Sequence, residues 1–162
     1  MKALWKLGFV ALLVASGGFF WFKWKQDEPR RDCVKTLEHL CQALDSHDSA
    51  SLLKAIALPQ AIQNRPAAEQ AEFLTKALRD EISPEGLVAL KTRGNFGSLK
   101  QLFPAEGDAW ARQAGDTPEA CVAFKMERSG VRAEVVLLRE KGLFRVIRCN
   151  NVKQMAAGRN QS

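Results

Sequence analysis

The sequence predicts an α+β protein with an N-terminal transmembrane helix. Three to four further helices then pack on a curved antiparallel sheet of four to five strands. Three observations carry this. An apolar stretch opens the chain, apolar residues next recur at helical spacing, and after Gly94 the pattern changes to alternation between glycine-bearing turns. Helices followed by strands, rather than alternating with them, give segregated layers.

The apolar opening comes first. Leu7 to Phe22 is an uncharged run of 16 residues. A spanning helix needs roughly 20 apolar residues, and the interval 3–24 supplies them if Lys6 extends its ammonium to the surface. Trp5, Trp21 and Trp24 stand at the ends, where amphipathic rings favour the lipid–water boundary, and Lys23 and Lys25 follow. An uncleaved single-pass anchor over residues 1–25 is the expectation. The competing reading is a signal segment cut after Ala15-Ser16-Gly17, which would leave Phe19-Phe20-Trp21-Phe22 near a mature terminus. The short basic head favours export of the domain to the periplasmic or extracellular side. Lys23, Lys25, Arg30 and Arg31 on the other flank argue the opposite.

The net charge of +6 belongs mostly to this segment. Beyond Lys25 there remain 20 basic and 18 acidic residues, so the folded part lacks the basic excess of a nucleic-acid binder. Residues 26–32 read as a juxtamembrane linker, 33–152 as one domain, and 153–162 as a frayed, disordered tail.

Within the domain, Val34, Leu37, Leu40, Cys41 and Leu44 predict a helix over 33–44. The segment 44–48 breaks it, and Asp48 is placed to cap a helix over 49–57. Pro66 looks like a first helical position, opening 66–80 with Ala67, Ala71, Leu74 and Leu78 inward. Ser83-Pro84-Glu85 caps and starts a short helix ending near Lys91. Residues 96–103 and 109–113 read as strands. Three stronger strands follow over 120–127, 131–139 and 143–149, joined by Ser129-Gly130 and Lys141-Gly142. By alternation Val122, Phe124, Met126, Phe144 and Val146 share one face.

Few residues invite chemistry. His39 and His47 are the only histidines, His39 off the apolar stripe and His47 in the polar break. Asp45 and Asp48 fit a turn and a cap, and Glu134 reads as a solvated strand carboxylate. No Ser-His-Asp set, phosphate loop or metal-ligand spacing occurs, and no cofactor is implied. The candidate pocket or interface residues are Trp110, Phe124, Phe144 and His39.

Cys33, Cys41, Cys121 and Cys149 lack the close pairs of zinc sites. Their even number in an exported domain invites disulfides. Cys33 and Cys41 are eight residues apart on one helix, or ~12 Å, beyond the ~7 Å that a bridge spans. Helix-to-sheet pairing of Cys33 with Cys149 and Cys41 with Cys121 is favoured over the crossed arrangement. Strict alternation opposes it, because Cys149 would then face away from the helices unless a bulge re-aims it.

The phrase Leu40-Cys41-Gln42-Ala43-Leu44-Asp45-Ser46-His47-Asp48-Ser49-Ala50-Ser51-Leu52-Leu53 resembles the opening of nuclear-transport-factor-2-like domains. The closing run from Val136 through Phe144 and Val146 to Ile147 is similar to their final hairpin. The resemblance spans residues 32–152 and implies a cystatin-like fold. That fold hosts isomerases, cyclases and dehydratases, and also non-catalytic binding and assembly domains, among them an anchored component of type IV secretion systems. Fold alone therefore does not choose a function. The expectation is a non-enzymatic, membrane-anchored module of the cell envelope. It would bind membrane lipid through residues 3–24 and an unknown protein or small ligand through the domain, with homodimerisation through the sheet as a further possibility. The alternative is an exported small-molecule enzyme of isomerase or cyclase type, with an acid or base inside the cone between helices and sheet.

Overall fold

A computed structural model describes residues 27–156. The expected anchor, with Trp5, Trp21, Lys23, Trp24 and Lys25, lies outside the described residues. Among the described residues no helix is long and apolar enough to cross a membrane. The chain divides into two compact units, residues 1–32 and 33–162. In the first, helical structure begins at Glu28, with the Arg31 N–H donating to the Asp27 carbonyl at 3.1 Å. Most of the segment read as linker is thus helical.

The first helix, α1, spans Glu28–Ser46 and buries Cys33, Leu37, Leu40, Cys41, Ala43 and Leu44. It ends where His47 takes a positive φ of 57°, a left-handed residue that turns the chain out of the helix. The break is therefore only His47 and Asp48, and Asp45 and Ser46 remain helical. Asp48 caps α2, Ser49–Ala55, accepting from the N–H groups of Ala50 and Ser51. Ile56 then makes a parallel bridge with Val146, and the Ala57 N–H donates to the Val146 carbonyl at 2.9 Å. This shields part of the last strand's outer edge.

Helix α3 spans Ala67–Arg79, with Pro66 as its cap rather than its first residue. Ala67 is exposed and Gln70 is buried in its place. The Gln70 amide donates to the carbonyls of Ile62, Gln63 and Arg65, satisfying a loop that would otherwise hold unpaired acceptors. Helix α4, Pro84–Arg93, starts at a Ser83 cap as expected. Gly86 on α4 lies against the backbone of Val152: a methyl group there would collide with the Val152 carbonyl oxygen.

The sheet is a four-stranded antiparallel meander in the order β1 (Asn95–Ser98), β2 (Cys121–Arg128), β3 (Val131–Glu140) and β4 (Leu143–Asn150). The two tight turns carry positive φ at Ser129, Gly130, Lys141 and Gly142, the backbone of type I′ hairpins, whose twist matches that of the strands.

The stretch between β1 and β2 corrects two expectations. Only Asn95–Ser98 is strand. Leu99–Leu102 is helix α5, capped by the Ser98 hydroxyl, which accepts from the Gln101 N–H. Gly107–Gln113 is helix α6, so Trp110 lies on a helix, not on a strand. The spacing of Leu99, Leu102 and Phe103 suits a helix turn, and Leu99 and Phe103 are buried through it.

These two short helices cover the second face of the sheet. One core holds α1–α4 residues with Phe124, Met126, Val135, Leu137, Phe144 and Val146. The other holds Leu99, Phe103, Ala111, Cys121, Ala123, Val136 and Leu138. Helices thus flank both faces, not one. After β4, Lys153–Met155 form a 3-10 helix. The Lys153 N–H donates to the Glu81 carbonyl at 2.8 Å, and Met155 is buried in the main core.

A bulge interrupts the β3–β4 register. Leu137 pairs with Val146 but Val136 pairs with Arg148, which leaves Ile147 as the extra residue. Cys149 therefore pairs with Val135 and packs against the helix-side core.

Candidate functional site

Three features of the second unit could hold a ligand. The first is a cleft of about 440 Å³ between α1, α2 and the β3–β4 turn. From α1 it takes Thr36, His39, Gln42, Ala43 and Ser46; from α2, Ser51, Lys54 and Ala55; Leu143 and Phe144 close it. His39 reaches it because it lies off the apolar stripe. Asp48 lies in the cleft but is already engaged. Its Oδ1 accepts from two backbone N–H groups, and its Oδ2 accepts from the Ser51 hydroxyl at 2.6 Å. The Ser51 hydroxyl and N–H hold its carboxyl below the usual value of 3.8, followed by the Ala50 N–H and the Lys54 charge. It is therefore a fixed anion and a poor general acid. His39, Gln42 and Lys54 have no side-chain hydrogen bond or ion pair with the described residues.

The second is a groove of about 620 Å³ between α1 and α4. Pro84, Leu87 and Val88 make its apolar wall, Glu38 and Asp45 its acidic rim, and Lys91 pairs with Glu38 at 3.0 Å. Cys41 lies at its base with its thiol pushed up to about 11, chiefly by burial and then by Asp45.

The third lies on the α5–α6 face. Glu134 is only 1 % exposed. Its Oε1 accepts from Arg148 Nε at 2.6 Å, and its Oε2 lies 3.0 Å from Arg132 Nε as an ion pair without an aligned hydrogen bond. Arg132 also donates to Glu106 at 3.1 Å. The Arg148 guanidinium stacks on Trp110 at 4.5 Å, and Lys125 and Arg132 lie over Phe103 at 5.3 and 5.6 Å. Phe103 and Trp110 pack with their rings tilted by 54° and centroids 4.9 Å apart.

The expected site residues separate accordingly. His39 and Phe144 meet in the first cleft. Trp110 stands in the third, where the Arg148 guanidinium lies over its ring. Phe124 is 1 % exposed and is ordinary core, tilted against Phe96 with centroids 4.8 Å apart. His47 is an exposed helix stop. Glu134, read as solvated, is instead the buried centre of an ion-pair array.

Cys33, Cys41, Cys121 and Cys149 form no disulfide. Cys41 and Cys121 sit in different cores with the sheet between them, so the favoured pairing of those two does not fit. Cys33, Cys41 and Cys149 share the helix side. Burial pushes Cys121 up to about 11 and raises Cys149 further. Among the described residues no cluster of His, Cys, Asp or Glu could hold a metal ion.

These features define an α+β domain with clefts on its surface. Comparison with protein-family models, with characterised proteins and with solved structures finds no match to this chain.

Proposed function

We propose that the chain is a non-catalytic binding or assembly module of the cell envelope. In this reading it is held at the membrane by residues 3–24, with a cystatin-like domain of nuclear-transport-factor-2-like type on the exported side. The cleft beside His39 is its ligand site. One observation carries the reading: the space between helices and sheet is filled by Leu, Ile, Val, Phe and Met side chains. Enzymes on such a fold need an acid or base inside that space. The two buried polar residues among those described are otherwise engaged. Gln70 satisfies a loop and Glu134 faces the opposite side of the sheet.

The cleft has the makings of a binding site. Its volume falls in the range of small-ligand pockets, roughly 300–1,000 Å³. The apolar Leu143 and Phe144 oppose the unspent polar groups of His39, Gln42 and Lys54. The test is a fragment screen by NMR on the full chain in detergent micelles. Shifts should cluster on His39, Lys54, Leu143 and Phe144 and disappear in Phe144→Ala, with no fragment chemically altered. Turnover of any fragment, or shifts that ignore the cleft, would reject the proposal.

A further inference from the structure

Independently of the cleft, we infer that Arg132 and Arg148, held side by side on Glu134, bind the phosphate group of a ligand. The argument starts from an anomaly. On the face of β2 and β3 under α5 and α6, Glu134 is buried beside an apolar patch of Ala123, Val136 and Leu138. A carboxylate buried there is costly unless it is paired. Glu134 is paired with two arginines, one per oxygen. One buried anion thereby fixes two guanidinium groups as neighbours, and their side chains stay about 40 % exposed at 41 % and 39 %.

Each guanidinium is held a second time. Arg148 lies over the Trp110 ring, and Arg132 is tied to Glu106 and lies over Phe103. The rotamer freedom that a ligand must otherwise freeze is already spent. Much donor capacity remains. Arg148 donates only through Nε and Arg132 only through Nη1, so both terminal nitrogens of Arg148 and Nη2 of Arg132 are wholly unspent. Lys125, directly opposite Glu134 in register, has no hydrogen bond or ion pair with the described residues. Glu127 faces Arg132 across the strands and makes no ion pair with it. Phosphate suits this array better than a carboxylate does. Its oxygens are numerous enough to reach both guanidinium groups at once, whose inner edges are already bridged by Glu134.

The test uses the full chain in non-ionic detergent with arginine side chains labelled with ¹⁵N. Inorganic phosphate is titrated in one arm, and soluble dihexanoyl phosphatidic acid in the other. The Nε resonances of Arg132 and Arg148 should shift saturably. Arg148→Ala should weaken binding by about tenfold or more, the loss expected for one charge-assisted pair. Arg148→Lys keeps a cation against Glu134, so it guards against a mere folding defect. It should weaken binding too, because an ammonium lacks the planar fork. Lys76→Ala, on exposed α3, should bind as the parent does. Response to inorganic phosphate points to a free phosphate ligand, and response to the lipid alone points to a headgroup; both uphold the site. No saturable shift in either arm, or unchanged binding by Arg148→Lys, overturns it.

Discussion

The two faces of the sheet are built on opposite terms. The helix side is a continuous apolar core drawn from α1–α4, the C-terminal turn and three strands. The α5–α6 side is a small apolar patch around a buried carboxylate and its arginines. The first arrangement gains stability from burial and close packing. The second gains little, since desolvating charges offsets much of their attraction. What it yields is position: guanidinium groups and rings with fixed neighbours. The contrast separates the part of the molecule that holds it together from the part poised to meet a ligand.

Substitution should expose this difference, most strongly on the helix side. Phe124→Ala removes a buried ring and should cost about 3–5 kcal/mol, read as a lower midpoint in denaturant unfolding. Gly86→Ala drives a methyl group into the Val152 carbonyl and should cost about 1–3 kcal/mol, while Val88→Ala on the exposed flank of α4 changes the midpoint little. Glu134→Leu is the discriminating case. With its arginines free to reach water, it should change stability by about 1 kcal/mol or less in either direction, yet release the Arg148–Trp110 stack. A loss as large as that of Phe124→Ala would mean that the ion pairs, and not the apolar core, hold this face.

Titration gives smaller effects on both faces. Cys41 and Cys121 rise from 9.0 to about 11 on folding. Folding favours their neutral thiols, so this contribution is complete below pH 9.0 and is lost as pH rises toward about 11. Unfolding midpoints should decline over that window, and less so in Cys41→Ala. Asp48 behaves in the opposite sense. Its folded value is depressed, so its contribution is present above 3.8 and is lost as pH falls through the lower folded value. Asp48→Asn should lower the midpoint slightly near neutrality, and the difference should vanish in acid.

Much of the helix side was legible in the sequence because one signal set it. The spacing of Leu37, Leu40 and Leu44, the caps Asp48 and Ser83, and the two glycine turns all act within a few residues of themselves. The alternation that put Phe124, Met126, Phe144 and Val146 on one face holds in the register. The other face was not legible, because its determinants are distant in sequence. Residues 99–113 fold as two short helices whose apolar spacing over so few residues also suits strands. Glu134 reads as a solvent-facing carboxylate until Arg148 arrives beside it, and that arrival depends on the bulge at Ile147. The bulge likewise returns Cys149 to the helix side. His39 was placed off the core stripe by its position alone, but the cleft beside it needed the tip of the β3–β4 hairpin.

The meander has a consequence for the order in which the chain acquires its structure. Strands β2, β3 and β4 are contiguous in sequence and joined by turns of minimal length, so their pairing closes the shortest loops in the domain. Such hairpins form in about 1–10 μs, whereas β1 must reach β2 across residues 99–120. Helix α1 must find partners on strands about a hundred residues further on. During synthesis the order is reversed. The apolar stripe of α1 leaves the ribosome first, and the strands that cover it leave last, at about 5–20 residues per second. For several seconds Leu37, Leu40 and Leu44 have no sheet to lie on.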